Sequence, residues 1–302
     1  MASELAGREL DGRVVIITGA GRGLGREHAL LMASEGARVV VNDLGGDSIG
    51  SGNDLTPAQE TVAEIRAAGG TAIVNGDDVA DWEGAKRLVS AAINEFGDLH
   101  VLVNNAGILR DRMLANMSEE EFDSVVRVHL RGHFCPTRHA AEFWRDQSKA
   151  GITVDRSLIN TSSTSGLLGN VGQGNYGSAK AGIASMTIIA NIEMRKYGVR
   201  ANAIAPAART RLTGGIASTP VADAFDAGDP ANVSPMVAYL AAADCPLNGQ
   251  VYFVHGGRIQ LMQPWSMSHQ IKADKRWTIA ELRGATEKFA ETKFPTIEAL
   301  SQ

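Results

Sequence analysis

Thr18-Gly19-Ala20-Gly21-Arg22-Gly23-Leu24-Gly25 is the stretch on which the fold turns. It follows a short β-branched run, Val14 to Thr18, and opens a helical pattern that runs from Leu24 to Ser34. Glycines at a strand–turn–helix junction let the backbone bend tightly and approach a pyrophosphate, which rests on the unpaired amides of the helix N-terminus. A glycine-rich turn alone is weak evidence, but its place in the first βα unit makes it a nucleotide-binding candidate. Gly19, Gly21, Arg22, Gly23, Leu24 and Gly25 are therefore the expected cofactor contacts of this turn.

Outward from the turn, the strand signature recurs at Ala37 to Asn42, Thr71 to Asn75, His100 to Asn104, Ser157 to Thr161, Val199 to Ala205 and Val251 to Val254. Helical segments separate these runs, one of them over Pro57 to Ala68. Strands alternating with helices predict βαβ units, and right-handed crossovers make the economical topology a doubly wound one. The expected fold is α/β: a single-domain Rossmann-type doubly wound parallel sheet with helices on both faces over residues 1–262, and a C-terminal helical extension over 263–302. In that extension Thr278-Ile279-Ala280-Glu281 is a capping box that opens a helix carrying Leu282 and Phe289. Trp265 and Trp277 predict that the extension docks on an apolar surface of the domain or of a neighbouring subunit. Pro206 to Pro235 has weak periodicity and reads equally as a mobile lid or as a surface helix.

Bulk composition excludes several classes. Of the 302 residues 44% are hydrophobic and 21% charged, an ordinary globular balance. The net charge of −5 argues against a general nucleic-acid or anionic-membrane binder. No apolar stretch has the length of a membrane span. Two cysteines, Cys135 and Cys245, make neither a disulfide framework nor a metal pattern, so no metal is expected. Met1 to Leu5 opens no signal peptide and Leu300-Ser301-Gln302 is not the peroxisomal tripeptide, so the expected location is cytoplasmic.

Asp43 closes the second strand, 18 residues beyond Gly25. An acid there can hydrogen-bond the ribose hydroxyls of NAD and repel the 2′-phosphate of NADP. Arg22 points the other way if it meets that phosphate, and is neutral in the argument if it is a solvated loop residue. NAD is the expected cofactor. Asp78 and Val79, after the third strand, are candidates for the adenine edge, whereas Asp77 reads as solvated.

Tyr176-Gly177-Ser178-Ala179-Lys180 places tyrosine and lysine four apart, on one helix face. A phenol ionises near pH ~10, and a nearby ammonium favours the phenolate, which brings the pair into acid/base range. The spacing is common by chance. Its company is not: Thr18 to Gly25, Asn104-Asn105-Ala106-Gly107 after the fourth strand, and Ser163 thirteen residues before Tyr176 all stand in order. On these motifs the chain resembles the short-chain dehydrogenase/reductase superfamily from about Val14 to Val254. The resemblance implies that Tyr176 exchanges the proton and Ser163 hydrogen-bonds the substrate oxygen. Lys180 would hold the nicotinamide ribose and lower the tyrosine pKa, while Asn105, Ala106 and Gly107 would line the cofactor and Asn104 would brace it. Hydride would pass between the nicotinamide and a carbinol carbon.

One position departs from that pattern. Where the superfamily has an asparagine that anchors a water on the proton path, this chain has His129, in Val128-His129-Leu130-Arg131-Gly132. An imidazole also donates and accepts, so His129 is a fourth catalytic candidate; the plain alternative is a histidine satisfied inside a helix. His28, His133 and His139 read as structural. The His129 stretch, Val41 to Gly46, Asn105 to Arg112 and Gly169 to Tyr176 are similar to the (3R)-hydroxyacyl-CoA dehydrogenase region of the peroxisomal multifunctional β-oxidation enzymes, also known as 17β-hydroxysteroid dehydrogenase type four.

That likeness implies an NAD-dependent oxidation of a secondary alcohol on a large apolar, lipid-like substrate, either a 3-hydroxyacyl-CoA or a 17β-hydroxysteroid. An NADP-dependent 3-ketoacyl reductase and a catalytically silent nucleotide-binding redox sensor are the rival readings. Arg209 and Arg211 could meet CoA phosphates, or be solvated. The helix from Gly177 to Met194 is small or apolar nearly all round and needs cover on both sides. A symmetry mate would supply it in a homodimer or homotetramer; the chain's own extension is the other way to cover it.

Overall fold

All five residues of β1 (Val14–Thr18) are buried, and β4 (Val101–Asn104) and β5 (Arg156–Thr161) are equally enclosed. Strands covered on both faces read as continuous apolar runs, which is why their limits are legible in the sequence. The computed structural model describes residues 8–47, 49–50, 52, 54–210, 225–263, 265–292 and 296–297. The remaining strands are β2 (Arg38–Asn42), β3 (Thr71–Asn75), β6 (Val199–Pro206), β7 (Val251–His255) and β8 (Arg258–Met262). They form one sheet in the order β3-β2-β1-β4-β5-β6-β7-β8. The first seven run parallel, with Ile16 opposite Val40 on one side and Leu102 on the other.

One antiparallel strand adds to the expected parallel sheet. β8 pairs antiparallel with β7, Phe253 facing Gln260. Gly256 and Gly257 make the hairpin, Gly256 at a φ of 53° in the left-handed region that glycine tolerates. Edge position leaves Ile259 and Leu261 exposed, so β8 shows neither a buried run nor an apolar face turned to the core.

Helices cover both faces. α1 (Gly23–Ser34), α2 (Thr56–Ala67) and α8 (Ser234–Ala241) close one core, in which Met32, Ile65 and Leu240 meet Val15 and Val39. α3 (Trp82–Phe96), α5 (Gly132–Lys149) and α7 (Gly174–Met194) close the other, around Leu88, Trp144 and Met194. The Trp144 indole donates to the Leu99 carbonyl at 2.7 Å, so even this buried ring leaves no polar atom orphaned. Between α4 (Glu119–Val126) and α5 the chain makes a π-helical turn, Arg127–Arg131.

The extension begins as expected. Thr278 and Glu281 cap α9 (Ile279–Ala285) reciprocally, and α10 (Glu287–Ala290) follows. Trp265 of the extension is 91% exposed, and Trp277 is half-buried. On α7, Ile189 and Ile192 remain 50% and 61% exposed, so the described part of the extension does not cover them. Residues 211–224 of the expected lid, Arg211 among them, lie outside the described residues. Among those residues no helix is long and apolar enough to cross a membrane.

Candidate active site

Strand order reverses between β1 and β4, and a doubly wound sheet opens a crevice at the C-terminal ends of its strands there. A cleft of about 1450 Å³ occupies that place, and Gly19, Asp43, Asn105, Ser163, Tyr176 and Lys180 all line it. One end is built by the glycine turn. Gly19 and Gly23 have φ of 63° and 54°, and a Cβ on Gly19 would lie 2.8 Å from Ala106 Cα. Arg22 stands at the N-cap of α1 without a side-chain hydrogen bond there, and no acid occupies the first turn. The helix thus offers free amides and its positive end to an anion.

The glycines divide their work. Gly19 and Gly23 line the cleft with Arg22 and Leu24, but Gly21 and Gly25 do not. Gly21 N–H donates to Asp43 Oδ2 at 2.9 Å. Gly25 is packing: a Cβ there would sit 2.2 Å from the Gly19 carbonyl oxygen. Asn105 fastens the turn from the far side, its Nδ2 donating to the Thr18 and Gly19 carbonyls at 3.0 and 3.2 Å. Ala106 and Gly107 lie beside it on the cleft wall.

Asp43 accepts from Gly21 N–H and, through Oδ1, from Gly45 N–H at 2.8 Å. Each carboxylate oxygen keeps a further lone pair for a ribose hydroxyl. Asp78 and Val79 line the same end, Asp78 paired with Arg127 at 2.6 Å. Asp77 is more than the solvated residue expected: it lines the cleft, pairs with Arg87 at 2.6 Å and accepts from Asn75. The uncapped helix, the cradle that a Cβ would fill and the acid at the end of β2 fit a nicotinamide dinucleotide.

At the other end Ser163 caps the short helix α6 (Thr164–Leu168), its hydroxyl accepting from Ser165 N–H at 3.2 Å. The same hydroxyl lies near enough to the Tyr176 phenol to favour its ionised form. Lys180 is 1% exposed; its Nζ donates to the Thr161 carbonyl at 2.6 Å and lies 5.5 Å from the centre of the Tyr176 ring. Burial pushes the Lys180 pKa down to about 7. Burial also raises that of Tyr176, against the Ser163 hydroxyl and together with the negative charge of Asp111. Burial is the largest of these influences on the phenol. Desolvation acts on both groups, and a lysine near its own pKa carries only part of a charge at neutrality.

His129 belongs to this end. The π turn aims it inward, where it is 2% exposed and stands edge-on to Tyr176 with ring centres 5.0 Å apart. Its Nε2 lies 2.8 Å from the Ile108 carbonyl and 3.1 Å from Ile108 N–H, and Nδ1 has no hydrogen-bond partner among the described residues. Burial, reinforced by Lys180, holds its pKa well below the usual value. A Cβ on Gly107 would meet the ring at 2.3 Å, so the imidazole needs a glycine above it. Asn104 does not reach the cleft; it ties β4 to Thr137 and Asn160 at 2.9 Å each. His28, His133 and His139 are buried and do not line the cleft, although His133 lies directly behind it, close enough to Lys180 and His129 to feel their charges.

Several lining residues carried no sequence signal of their own: Asp111, Gln173, Phe225, Phe253, His255 and, from the extension, Ile297. Phe253 and His255 end a parallel strand, and the strand-end rule for doubly wound sheets would have pointed to them. Ile297 had no such rule. Arg209 lines the cleft mouth and pairs with Asp226.

The family model for short chain dehydrogenases matches residues 13–219. The chain belongs to that family. This short chain dehydrogenase is 43% identical over 298 residues to the hydroxyacyl-CoA dehydrogenase ChsB1 of Mycobacterium tuberculosis, covering 95% of the chain and 91% of that protein. It is 44% identical over 259 residues to peroxisomal multifunctional enzyme type 2 of Mus musculus, covering 86% of the chain but 33% of that longer protein. A crystal structure of a short chain dehydrogenase from Mycobacterium avium superimposes with a TM-score of 0.85 at 51% identity, over 95% of this chain and 98% of that one. The chain is thus an oxidoreductase, and its family uses a nicotinamide dinucleotide.

Proposed function

We propose that this oxidoreductase converts the hydroxyl of a 3-hydroxyacyl-CoA to the ketone with NAD. The observation that carries the reading is likeness to a hydroxyacyl-CoA dehydrogenase over 95% of the chain, joined to one cleft wall that holds Ser163, Tyr176 and Lys180. Gly19, Arg22, Gly23 and Leu24 would hold the pyrophosphate, and Asp43 the adenosine ribose. Bound there, NAD supplies the hydride acceptor and a positive charge that favours the phenolate. Ser163 holds the substrate oxygen beside the phenol. Tyr176 takes the hydroxyl proton as hydride leaves the carbinol carbon, and Lys180 holds the nicotinamide ribose and stabilises the phenolate. His129, uncharged and braced by Ile108, keeps the Tyr176 ring in register.

Asp43 supports NAD, because a 2′-phosphate would meet its charge. Arg22 supports the NADP reading, but it has an acidic neighbour. Asp54, whose carboxyl hydrogen bonds from Thr56 hold below the usual range, also feels the Arg22 charge. The cleft is roomy enough for a hydroxysteroid, which is the second substrate class. Initial rates on a panel of 3-hydroxyacyl-CoAs and 17β-hydroxysteroids, with NAD and with NADP, test the reading. Expected is turnover of the acyl-CoAs with NAD; a preference for NADP or for the steroids would overturn the corresponding part.

Ile189 and Ile192 support assembly into a homodimer or homotetramer through α7. Ile192→Asp is expected to lower the mass measured by light scattering, and an unchanged mass would place the interface elsewhere.

A further inference from the structure

Asp111 stands beside Tyr176 on a backbone held from both sides. Arg112 N–H donates to the Gly172 carbonyl at 2.8 Å, and Asn175 Nδ2 donates to the Arg110 carbonyl at 2.9 Å. Gly172 and Asn175 flank the start of α7, so Asp111 is fixed against the first turn of the helix that carries Tyr176. Its two neighbours turn away: Arg110 pairs with Glu120 at 2.8 Å and Arg112 with Glu121 at 3.1 Å. The carboxylate instead accepts from Gln173 Nε2 at 2.8 Å, and Gln173 Oε1 accepts from Asn170 Nδ2 at 3.1 Å.

This chain of contacts orients the Gln173 amide. A carboxylate only accepts, so the NH2 of Gln173 must face Asp111 and its oxygen must face Asn170. Among the described residues, one hydrogen on Gln173 Nε2 is left over. Asp111, Asn170, Gln173 and Tyr176 line the cleft together, and the Asp111 charge is close enough to oppose ionisation of the phenol. In a 3-hydroxyacyl group the acyl carbonyl lies two bonds from the carbinol carbon, so it must sit near whatever lines the Tyr176 wall. A substrate seated there also displaces water, which leaves the charge on that wall less screened.

We propose that Asp111 selects for a neutral acyl carbonyl, a thioester, and against the free 3-hydroxy acid, with Gln173 donating its remaining N–H to that carbonyl. The proposal rests on the hydroxyacyl reading above. A carboxylate on the substrate would face a fixed carboxylate of the wall, whereas a thioester brings only an acceptor.

The test separates charge from recognition of CoA by using three small probes of one chain length: a 3-hydroxyacyl N-acetylcysteamine thioester, the methyl ester and the free acid. The readout is the ratio of kcat/KM for ester over acid, on the intact protein and on Asp111→Asn and Asp111→Lys. Asparagine keeps an acceptor for Gln173 and removes the charge. The ratio is expected to fall by about tenfold in the asparagine variant and further in the lysine variant. Asp111 is exposed, so neither change removes a buried partner. A ratio that stays constant across the three proteins overturns the proposal, since a merely structural role would not follow the sign of the charge. Failure of all three proteins on both esters and on 3-hydroxyacyl-CoA, with NAD binding intact, would instead overturn the hydroxyacyl reading and this proposal with it.

Discussion

At Tyr176 burial, a hydroxyl and a carboxylate act on one phenol. Burial and Asp111 keep the proton on; Ser163 favours its release. The balance favours the protonated phenol. Tyr176→Phe removes the hydroxyl and keeps the ring that stands against His129. Turnover is expected to fall by about 10²–10⁴-fold, with NAD binding retained in a fluorescence titration. Turnover within a few-fold of the unaltered protein would remove Tyr176 from its proposed role. The pairing of Tyr176 with Lys180 was legible because a spacing of four is a local property of a helix. The directions of their pKa shifts were not, because burial is set by residues far away in the chain.

Between elements, the loop after β4 and the π turn before α5 are fitted to each other. His129 fills the space that Gly107 leaves, and its Nε2 holds the backbone at Ile108. Gly107→Ala forces the ring to move and is expected to destabilise the protein by about 1–3 kcal/mol. His129→Ala in the same chain removes the clash, so in urea unfolding the two changes together should cost less than the sum of each alone. Strict additivity would show that ring and glycine do not interact. The motifs after β4 were readable as a glycine-containing run, and His129 was readable as a departure from an expected asparagine. Their contact was not. Nor was β8, whose residues are exposed except for a half-buried Met262, so it carries no buried apolar position to mark it.

Over the whole molecule, buried ionisable groups tie stability to pH. His28 lies in the core against Ser234, its pKa lowered to about 3 by burial, and His129 and His133 are also held well below the usual value. Above about pH 6.5 these groups are neutral whether the chain is folded or not, and they set no slope. As pH falls below that value the unfolded chain takes up protons that the folded chain refuses, so stability declines, for His28 until about pH 3. Lys180, lowered to about 7, acts in the same direction at higher pH: its buried charge costs stability below pH 7, and the cost is relieved as pH rises towards the unfolded value of 10.5. Urea midpoints are expected to drop from pH 7.5 to pH 5, and His28→Asn to flatten that drop. A midpoint that rises on acidification would contradict the sign of these shifts.

The sequence by itself determined the glycine turn, seven of the eight strands, the acid at the end of β2 and the Tyr176–Lys180 face. Each is local: a steric need for glycine, a period of two or of 3.6, or a residue at a strand end. The tertiary structure alone decided that Asp111 and Gln173 share a wall with Tyr176, that His129 lies beneath Gly107 and that Ile297 of the extension reaches the cleft. These contacts join segments that the strand order and its crossovers bring together. The free energy that selects that order is spread over the two cores, so no short stretch of residues encodes it.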